Sequence, residues 1–158
     1  MAIGIGDSLP AGELHEGNPK THVNPAEAFA KGKHVIFGVP GAFTPGCDKT
    51  HLPGYVGDAD KFKAKGVDSI ACVAVNDAFV MAAWGESAHA GGKVRMLADP
   101  AGSWTKALGL DVDAAALGGL RSKRYAMVVQ DGQVTQLEVE PDGFGLSCSL
   151  APSLLERV

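Results

Sequence analysis

Apolar residues are concentrated in short runs separated by turns rich in glycine and proline. The runs at 34–39 and 67–75 are almost continuously apolar, which is typical of central strands covered on both faces. Residues 94–98 form a third, shorter run of the same kind. Between these strands the pattern predicts helices at about 45–65, 78–90 and 103–108. Gly66 would end the first helix, and Asn76-Asp77 would cap the second.

The C-terminal third predicts a hairpin followed by a helix. Residues 125–130 and 133–139 flank Asp131-Gly132, a strong signal for a tight turn between two strands. A final helix is predicted at 149–158, and roughly the first 30 residues are interpreted as an added N-terminal piece. The alternation of strands and helices predicts an α/β protein with a mixed central sheet flanked by helices, as in the thioredoxin fold.

The bulk properties narrow the class of protein. The chain has 158 residues, of which 46% are hydrophobic and 20% charged, so one globular domain spanning 1–158 is expected. The net charge of −4 gives no electrostatic reason to expect nucleic acid or an anionic membrane as a partner. No signal peptide and no apolar run of about 18 residues is visible, so a soluble cytoplasmic protein is expected.

The three cysteines are Cys47, Cys72 and Cys148. An odd, low count is not that of a secreted disulfide framework, and the absence of a C-x-x-C pair disfavours a thiol–disulfide oxidoreductase. Cys47 and His51 are spaced to share a helix face, but no second pair of ligands accompanies them, so no metal site is expected there.

The surroundings of Cys47 point to a reactive sulfur. A buried strand runs into a Gly/Pro turn, after which Thr44 is interpreted as a helix cap and Pro45 as the first helical residue. Cys47 would then lie in the first helical turn, where free N–H groups and the helix dipole favour a thiolate over a thiol. The alternative is a buried structural thiol, which is common for free cysteine.

The same segment resembles a known family. The spacing Pro40-x-x-x-Thr44-x-x-Cys47 is similar to the active-site motif of peroxiredoxins, and residues 38–47 with 49–54 resemble the peroxiredoxin-5, or type II, subfamily. Further blocks of resemblance follow in the family's order over nearly the whole chain. They are residues 75–80, 97–100, 127–132 and 138–143.

The resemblance implies a thiol-dependent peroxidase for hydrogen peroxide and organic hydroperoxides, with no metal, haem or flavin as cofactor. Cys47 would become a sulfenic acid, and thioredoxin or glutaredoxin/glutathione would supply the reducing thiols. A homodimer is implied by the resemblance alone. The alternative function is a redox sensor of the same fold that passes oxidation to a partner protein.

The resemblance also implies roles for neighbouring residues. Thr44 would hydrogen-bond the bound peroxide, and Pro40 would shield the pocket. An arginine should stabilise the thiolate and the charge that develops on the oxygens, because its planar fork can bond both. Arg124 stands directly before the strand at 125–129, as the family's arginine does, whereas Arg121 is interpreted as a solvated loop residue.

Cys148 is the expected resolving cysteine. It follows a glycine-containing loop, and in the peroxiredoxin-5 pattern a cysteine at this place forms an intramolecular disulfide with the peroxidatic one. Plant type II relatives carry a cysteine where Cys72 stands instead, so Cys72 and an external thiol remain alternatives. Cys72 lies among apolar residues and is interpreted as an inert thiol, and no role is assigned to His51.

Overall fold

The computed structural model describes residues 2–158. It contains a seven-stranded sheet, a separate two-stranded ribbon and short helices. The strands are β1 (Leu14–Glu16), β2 (Asn18–Val23), β3 (Lys33–Val39), β4 (Ser69–Ala74), β5 (Arg95–Ala98), β6 (Asp111–Ala114), β7 (Gly119–Ser122), β8 (Tyr125–Gln130) and β9 (Gln133–Val139). The α-helices are α1 (Pro25–Ala28), α2 (Leu52–Gly57), α3 (Ala59–Ala64), α4 (Ala78–Ser87), α5 (Ser103–Leu108) and α6 (Ala151–Leu155).

The large sheet has the order β2-β1-β5-β4-β3-β8-β9. Strands β3, β4 and β5 are parallel, whereas β8 pairs antiparallel with β3, and β1 pairs antiparallel with β5. The sheet is therefore mixed, as predicted. Helices α2, α3, α4 and α6 contribute to the apolar core on one face, and α5 contributes to the core on the other. Because both faces are covered, β3 and β4 are nearly continuously buried.

The strands of the centre and the C-terminal hairpin lie close to their predicted positions. Both hairpin strands begin and end at the predicted residues. Asp131 and Gly132 have φ values of 51° and 82°, the left-handed pair that a two-residue type I′ turn needs. Helix α5 covers the predicted range, and the Asp77 side chain accepts a hydrogen bond from the Val80 N–H to cap α4.

The helix predicted over 45–65 is interrupted. Helical backbone starts at Pro45, but a π-helical turn spans Cys47–His51, in which the Leu52 N–H donates to the Cys47 carbonyl. Pro53 supplies no N–H and crowds the preceding turn, so the wider turn accommodates it. A second break falls at Asp58, where ψ is 8°, and divides α2 from α3.

Other helix ends also differ from prediction. Helix α4 ends at Ser87 rather than at about 90. The last helix is only Ala151–Leu155 instead of 149–158, because Leu150 before it is extended and Pro152 favours a helix start.

Within residues 2–158, four strands, one α-helix and a 3-10 helical turn at Ala115–Leu117 were not predicted. The N-terminal piece forms β1, β2 and α1, and β1 extends the main sheet beside β5. Strand β2 is exposed at every position except Val23, so it has no apolar alternation that would reveal it. The β6–β7 ribbon is equally poor in buried residues. No helix within residues 2–158 is long and apolar enough to cross a membrane.

Candidate active site

Cys47 lies just beyond the carboxyl end of β3. Pro40 follows that strand and is buried, and the turn after it contains Phe43 with a φ of 63°, a left-handed conformation that is rare for a non-glycine residue. Cys47 lies in the first turn of the following helical segment, as predicted, and is wholly buried. The strained turn and the helix start therefore hold the sulfur inside the protein, at the edge of the core.

Thr44 precedes the helix, but its side chain does not cap it. The Thr44 carbonyl accepts from the Asp48 N–H at 2.8 Å, as a residue at this position should. Its hydroxyl, however, donates backwards to the Gly41 carbonyl at 2.8 Å. Thr44 therefore occupies the predicted cap position, but the cap has no side-chain hydrogen bond. The hydrogen bond to the Gly41 carbonyl fixes the orientation of the hydroxyl and leaves lone pairs of Oγ free to accept another hydrogen bond.

Arg124 is a buried cation beside the Cys47 turn. Only 4% of it is exposed. A Cβ added to Gly46, the residue before Cys47, would lie 3.1 Å from Arg124 Nη2. Arg124 donates from Nη1 to His51 Nδ1 at 3.1 Å and from Nε to the Phe144 carbonyl at 3.3 Å. Within residues 2–158 no carboxylate lies within ion-pair distance of it.

His51, to which no role was assigned from the sequence, is a hydrogen-bond partner of Arg124. Its Nε2 lies 3.1 Å from the Ser149 carbonyl and must donate there, so Nδ1 is the acceptor that faces Arg124. Burial and the charge of Arg124 lower the pKa of His51 from 6.5 to about 3. The ring is therefore neutral at pH 7. Both nitrogens are engaged, which leaves none for a metal shared with Cys47.

Arg121 is not the solvated loop residue that was predicted. It is half-buried, and its guanidinium donates to the Val75 carbonyl at 3.2 Å and to the Leu117 carbonyl at 2.7 Å. Its Nη1 also lies 3.1 Å from where a Gly41 Cβ would be. Its place is therefore structural, because it ties the β6–β7 connection to the end of β4.

A second buried charge, Glu140, anchors the segment that contains Cys148. Its carboxylate accepts from the backbone N–H and the hydroxyl of both Ser147 and Ser149, over 2.6–3.0 Å. Burial raises the pKa of Glu140, but these four hydrogen bonds outweigh burial and lower it to about 2. Cys148 lies between the two serines, is half-buried, and its Sγ is 3.6 Å from the Val139 carbonyl.

Cys72 occupies a different environment. It lies in the middle of β4, opposite Phe37 on one side and Met96 on the other, and is wholly buried. Burial first, and then the proximity of Cys47, raise the pKa of the Cys72 thiol well above its ordinary value. Cys72 therefore stays a neutral thiol, yet it shares the core cluster that contains Cys47.

Comparison with known proteins shows the family. The redoxin family model matches residues 5–147. A peroxiredoxin-2C of rice is 45% identical over 89% of this chain and 90% of its own length. The chain belongs to the peroxiredoxin family. More narrowly, the relatives place it among the type II peroxiredoxins, and it is a thiol-dependent peroxidase that uses peroxide and a thiol reductant.

Solved peroxiredoxin structures share the fold. Reduced Prx3 of Vibrio vulnificus in complex with H2O2 is 50% identical, with a TM-score of 0.92 and 99% of both chains covered. The oxidised form of Prx3 gives a TM-score of 0.88, at 51% identity and 99% coverage of both chains. Peroxiredoxin 5 of Alvinella pompejana is 42% identical, with a TM-score of 0.85 and 99% of both chains covered. The predicted thioredoxin fold is therefore confirmed.

The relatives correct the predicted location. Peroxiredoxin-2E-2 of rice, 45% identical over 99% of this chain, and peroxiredoxin-2E of Arabidopsis thaliana, 41% identical over 90%, are both chloroplastic proteins. The expectation of a cytoplasmic protein is therefore wrong, because it does not hold for relatives as similar as these two, which are chloroplastic.

The Glu140 cluster generates a prediction about acid stability. A carboxyl with a folded pKa of about 2 and an ordinary pKa of 4.5 stabilises the fold above pH 4.5, and this contribution is lost as the pH falls toward 2. The free energy of unfolding of the wild type should therefore fall by about 2 kcal/mol more than that of Glu140→Gln over this range. Urea unfolding at several pH values measures it, with the exposed Glu156→Gln as control. Parallel pH profiles for wild type and Glu140→Gln would contradict the assignment.

Proposed function

We propose that Cys47 is the peroxidatic cysteine and that Thr44, Pro40 and Arg124 form the pocket in which it reduces hydrogen peroxide and small organic hydroperoxides. The observation that carries the proposal is the buried Arg124 guanidinium, which packs on Gly46 beside Cys47 and has neutral groups as its hydrogen-bond partners. An uncompensated buried cation favours an anion next to it, first the thiolate and then the oxygen that leaves.

The reaction follows from this charge distribution. The Cys47 thiolate attacks one oxygen of the hydroperoxide, the S–O bond forms and the O–O bond breaks. The departing alkoxide or hydroxide takes a proton and leaves as alcohol or water, and Cys47 becomes a sulfenic acid. Arg124 stabilises the negative charge while it moves from sulfur to oxygen.

Thr44 and Pro40 have supporting roles in this proposal. The Thr44 hydroxyl is oriented by the Gly41 carbonyl, so its oxygen is positioned to accept a hydrogen bond from the O–H of the peroxide. Pro40 is buried, bulky and without an N–H, so it narrows the pocket without binding water through its backbone. The solved Vibrio vulnificus relative is a complex with H2O2, which supports H2O2 as one substrate of this chain.

We also propose that Cys148 resolves the sulfenic acid. Its thiol attacks the Cys47 sulfur, an S–S bond forms, and hydroxide leaves and is protonated to water. Burial and the nearby Glu140 and Glu138 raise the pKa of the Cys148 thiol. Burial and the two carboxylates act on the thiol only in its present position. On the proposed route the segment at 143–149 moves towards Cys47, and the Cys148 thiol leaves these surroundings. The raised pKa therefore keeps Cys148 protonated at rest without preventing its attack on Cys47.

Resolution by Cys72 or by an external thiol is the competing route. Cys47 is close enough to Cys72 to raise the pKa of the Cys72 thiol, but the sheet holds Cys72 on both sides. Residues 141–150, in contrast, contain neither helix nor strand. The proposal favours Cys148 because a loop is displaced at lower cost than the central strand of a sheet.

The reductant and the assembly also remain proposals. We expect thioredoxin, or glutaredoxin with glutathione, to reduce the oxidised protein, and we expect residues 1–158 to act as one domain that forms a homodimer. The dimer is supported by large apolar side chains that are exposed near the site, Phe43 at 48% and Leu146 at 41%.

Replacement of Cys47 tests the central assignment. Cys47→Ser should abolish peroxidase turnover, because a serine hydroxyl is far too weak an acid to supply the nucleophile at pH 7. Peroxide consumption with a thiol reductant measures turnover, and circular dichroism verifies the fold. Cys72→Ser is the matched control and should keep its activity. Turnover by Cys47→Ser beyond a trace would refute the proposal.

Replacement of Arg124 tests the role of its charge. Arg124→Lys keeps the charge but loses the fork that bonds His51, so the rate constant of Cys47 oxidation should fall by about 10- to 1000-fold. Stopped-flow measurement with one equivalent of peroxide isolates this step. Arg121→Lys, which loses bonds to two backbone carbonyls, should affect stability more than rate. If Arg121→Lys lowers the rate constant of Cys47 oxidation more than Arg124→Lys does, the catalytic charge belongs to Arg121.

The resolving step is tested by mapping the disulfide. One equivalent of peroxide should give an intramolecular Cys47–Cys148 bond, detected by peptide mass spectrometry. Cys148→Ser should react once with peroxide and then stall with thioredoxin as reductant, because its sulfenic acid has no partner thiol. A Cys47–Cys72 bond in the wild type would select Cys72 instead. Full turnover of Cys148→Ser with glutathione or glutaredoxin would select an external thiol.

A further inference from the structure

Two histidines and a glutamate share one face of the N-terminal hairpin. His15 on β1 and His22 on β2 are directly opposite in the strand register. Glu13 precedes His15 by two residues, and alternate residues of an extended chain point to the same face. The two imidazole rings stack with their centroids 5.3 Å apart and their planes at 22°. The hairpin thus brings these three side chains together at one edge of the sheet. Strands β5 and β4 separate them from β3, the strand that leads to Cys47.

The distances suit a single ion. One donor atom from each of Glu13, His15 and His22 can be chosen so that all three lie within 4.8 Å of one another. Glu13 Oε1 lies 2.7 Å from His22 Nδ1, and Glu13 Oε2 lies 4.0 Å from His15 Nε2. Two imidazoles and one carboxylate form a donor set that zinc and its neighbours in the first transition row prefer.

The ring of His22 carries a further sign of a binding site. His22 Nε2 lies 2.9 Å from the Pro19 carbonyl, and an imidazole that binds a metal through one nitrogen usually donates the other to such a carbonyl. The nitrogen of His15 that lies 4.0 Å from Glu13 is Nε2, whereas Nδ1 is buried on the other side of the ring. His15 therefore offers Nε2 to an ion in the cluster.

We propose that Glu13, His15 and His22 bind one divalent transition-metal ion of the zinc class. The three side chains leave at least one coordination position for water. The ion displaces the proton that His22 Nδ1 shares with Glu13. The site is not part of the peroxidase chemistry, because β1 is three strands from β3 in the sheet, roughly 14 Å away.

The position of the hairpin gives the ion a structural effect. Strand β1 is joined to β5 in the ladder through one residue pair, His15 with Ala98, and through the ion pair between Glu16 and Arg95. Strand β2 lies at the exposed edge of the sheet. A metal held by residues of both hairpin strands and of the segment before β1 links the two strands at this edge. The unfolding temperature therefore rises as the concentration of free ion increases above its dissociation constant.

Titration of the reduced, metal-free protein tests the site. Calorimetry with Zn²⁺ should give one saturable site whose affinity falls at least about tenfold in His22→Gln and in Glu13→Gln. Both residues are exposed, so these variants should fold and should keep their peroxidase rate. His89→Asn and Glu156→Gln are matched controls, because both residues are exposed and lie outside the cluster, and they should bind as the wild type does.

A second probe separates this site from the thiols. The absorption spectrum of bound Co²⁺ should lack the thiolate charge-transfer band, and Zn²⁺ should shift the histidine ring signals of His15 and His22 in NMR spectra. Equal affinity in wild type and His22→Gln, a thiolate band, or no saturable binding would each overturn the proposal. In the last case the cluster is only an ion pair between Glu13 and His22.

Discussion

The hydrogen bond from Arg124 to His51 joins two residues that are 73 positions apart, and both are buried. It exists only because the imidazole is neutral: a protonated His51 would place a second positive charge against the guanidinium. Burial and Arg124 itself lower the pKa of His51 to about 3, so the neutral form persists at any physiological pH. The histidine thereby orients the guanidinium without cancelling its charge, which a carboxylate in the same place would do.

The same histidine connects the Cys47 helix to the segment that contains Cys148. His51 and Tyr55, both on the helical segment after Cys47, donate to one acceptor, the Ser149 carbonyl. Glu140 holds the other side of that segment through Ser147 and Ser149. The reduced state is therefore closed by polar bonds at both ends of a short loop. On the proposed route, these bonds resist any movement of Cys148 towards Cys47, and disulfide geometry requires the two Cα atoms to lie within about 7 Å.

Local patterns predicted the elements that carry their own signal. The Asp131-Gly132 turn and the apolar strands β3 and β4 depend on residues within the element, and they appear where predicted. Strand β2 and the β6–β7 ribbon bury little, so apolar periodicity could not reveal them. The π-helical turn at Cys47–His51 depends on Pro53, whose effect on the preceding turn a helical pattern does not register.

The site residues show the same division. Cys47, Thr44 and Arg124 could be proposed from sequence because they lie in recognisable motifs. The places of His51, Glu140 and Arg121 depend on contacts 4 to 98 residues away, which no spacing within a motif reveals. The competition between Cys72 and Cys148 is of this kind too. Both thiols have a raised pKa, so acidity does not choose between them. The choice depends on which thiol can be moved, and on this ground the loop of Cys148 is favoured over the central strand of Cys72.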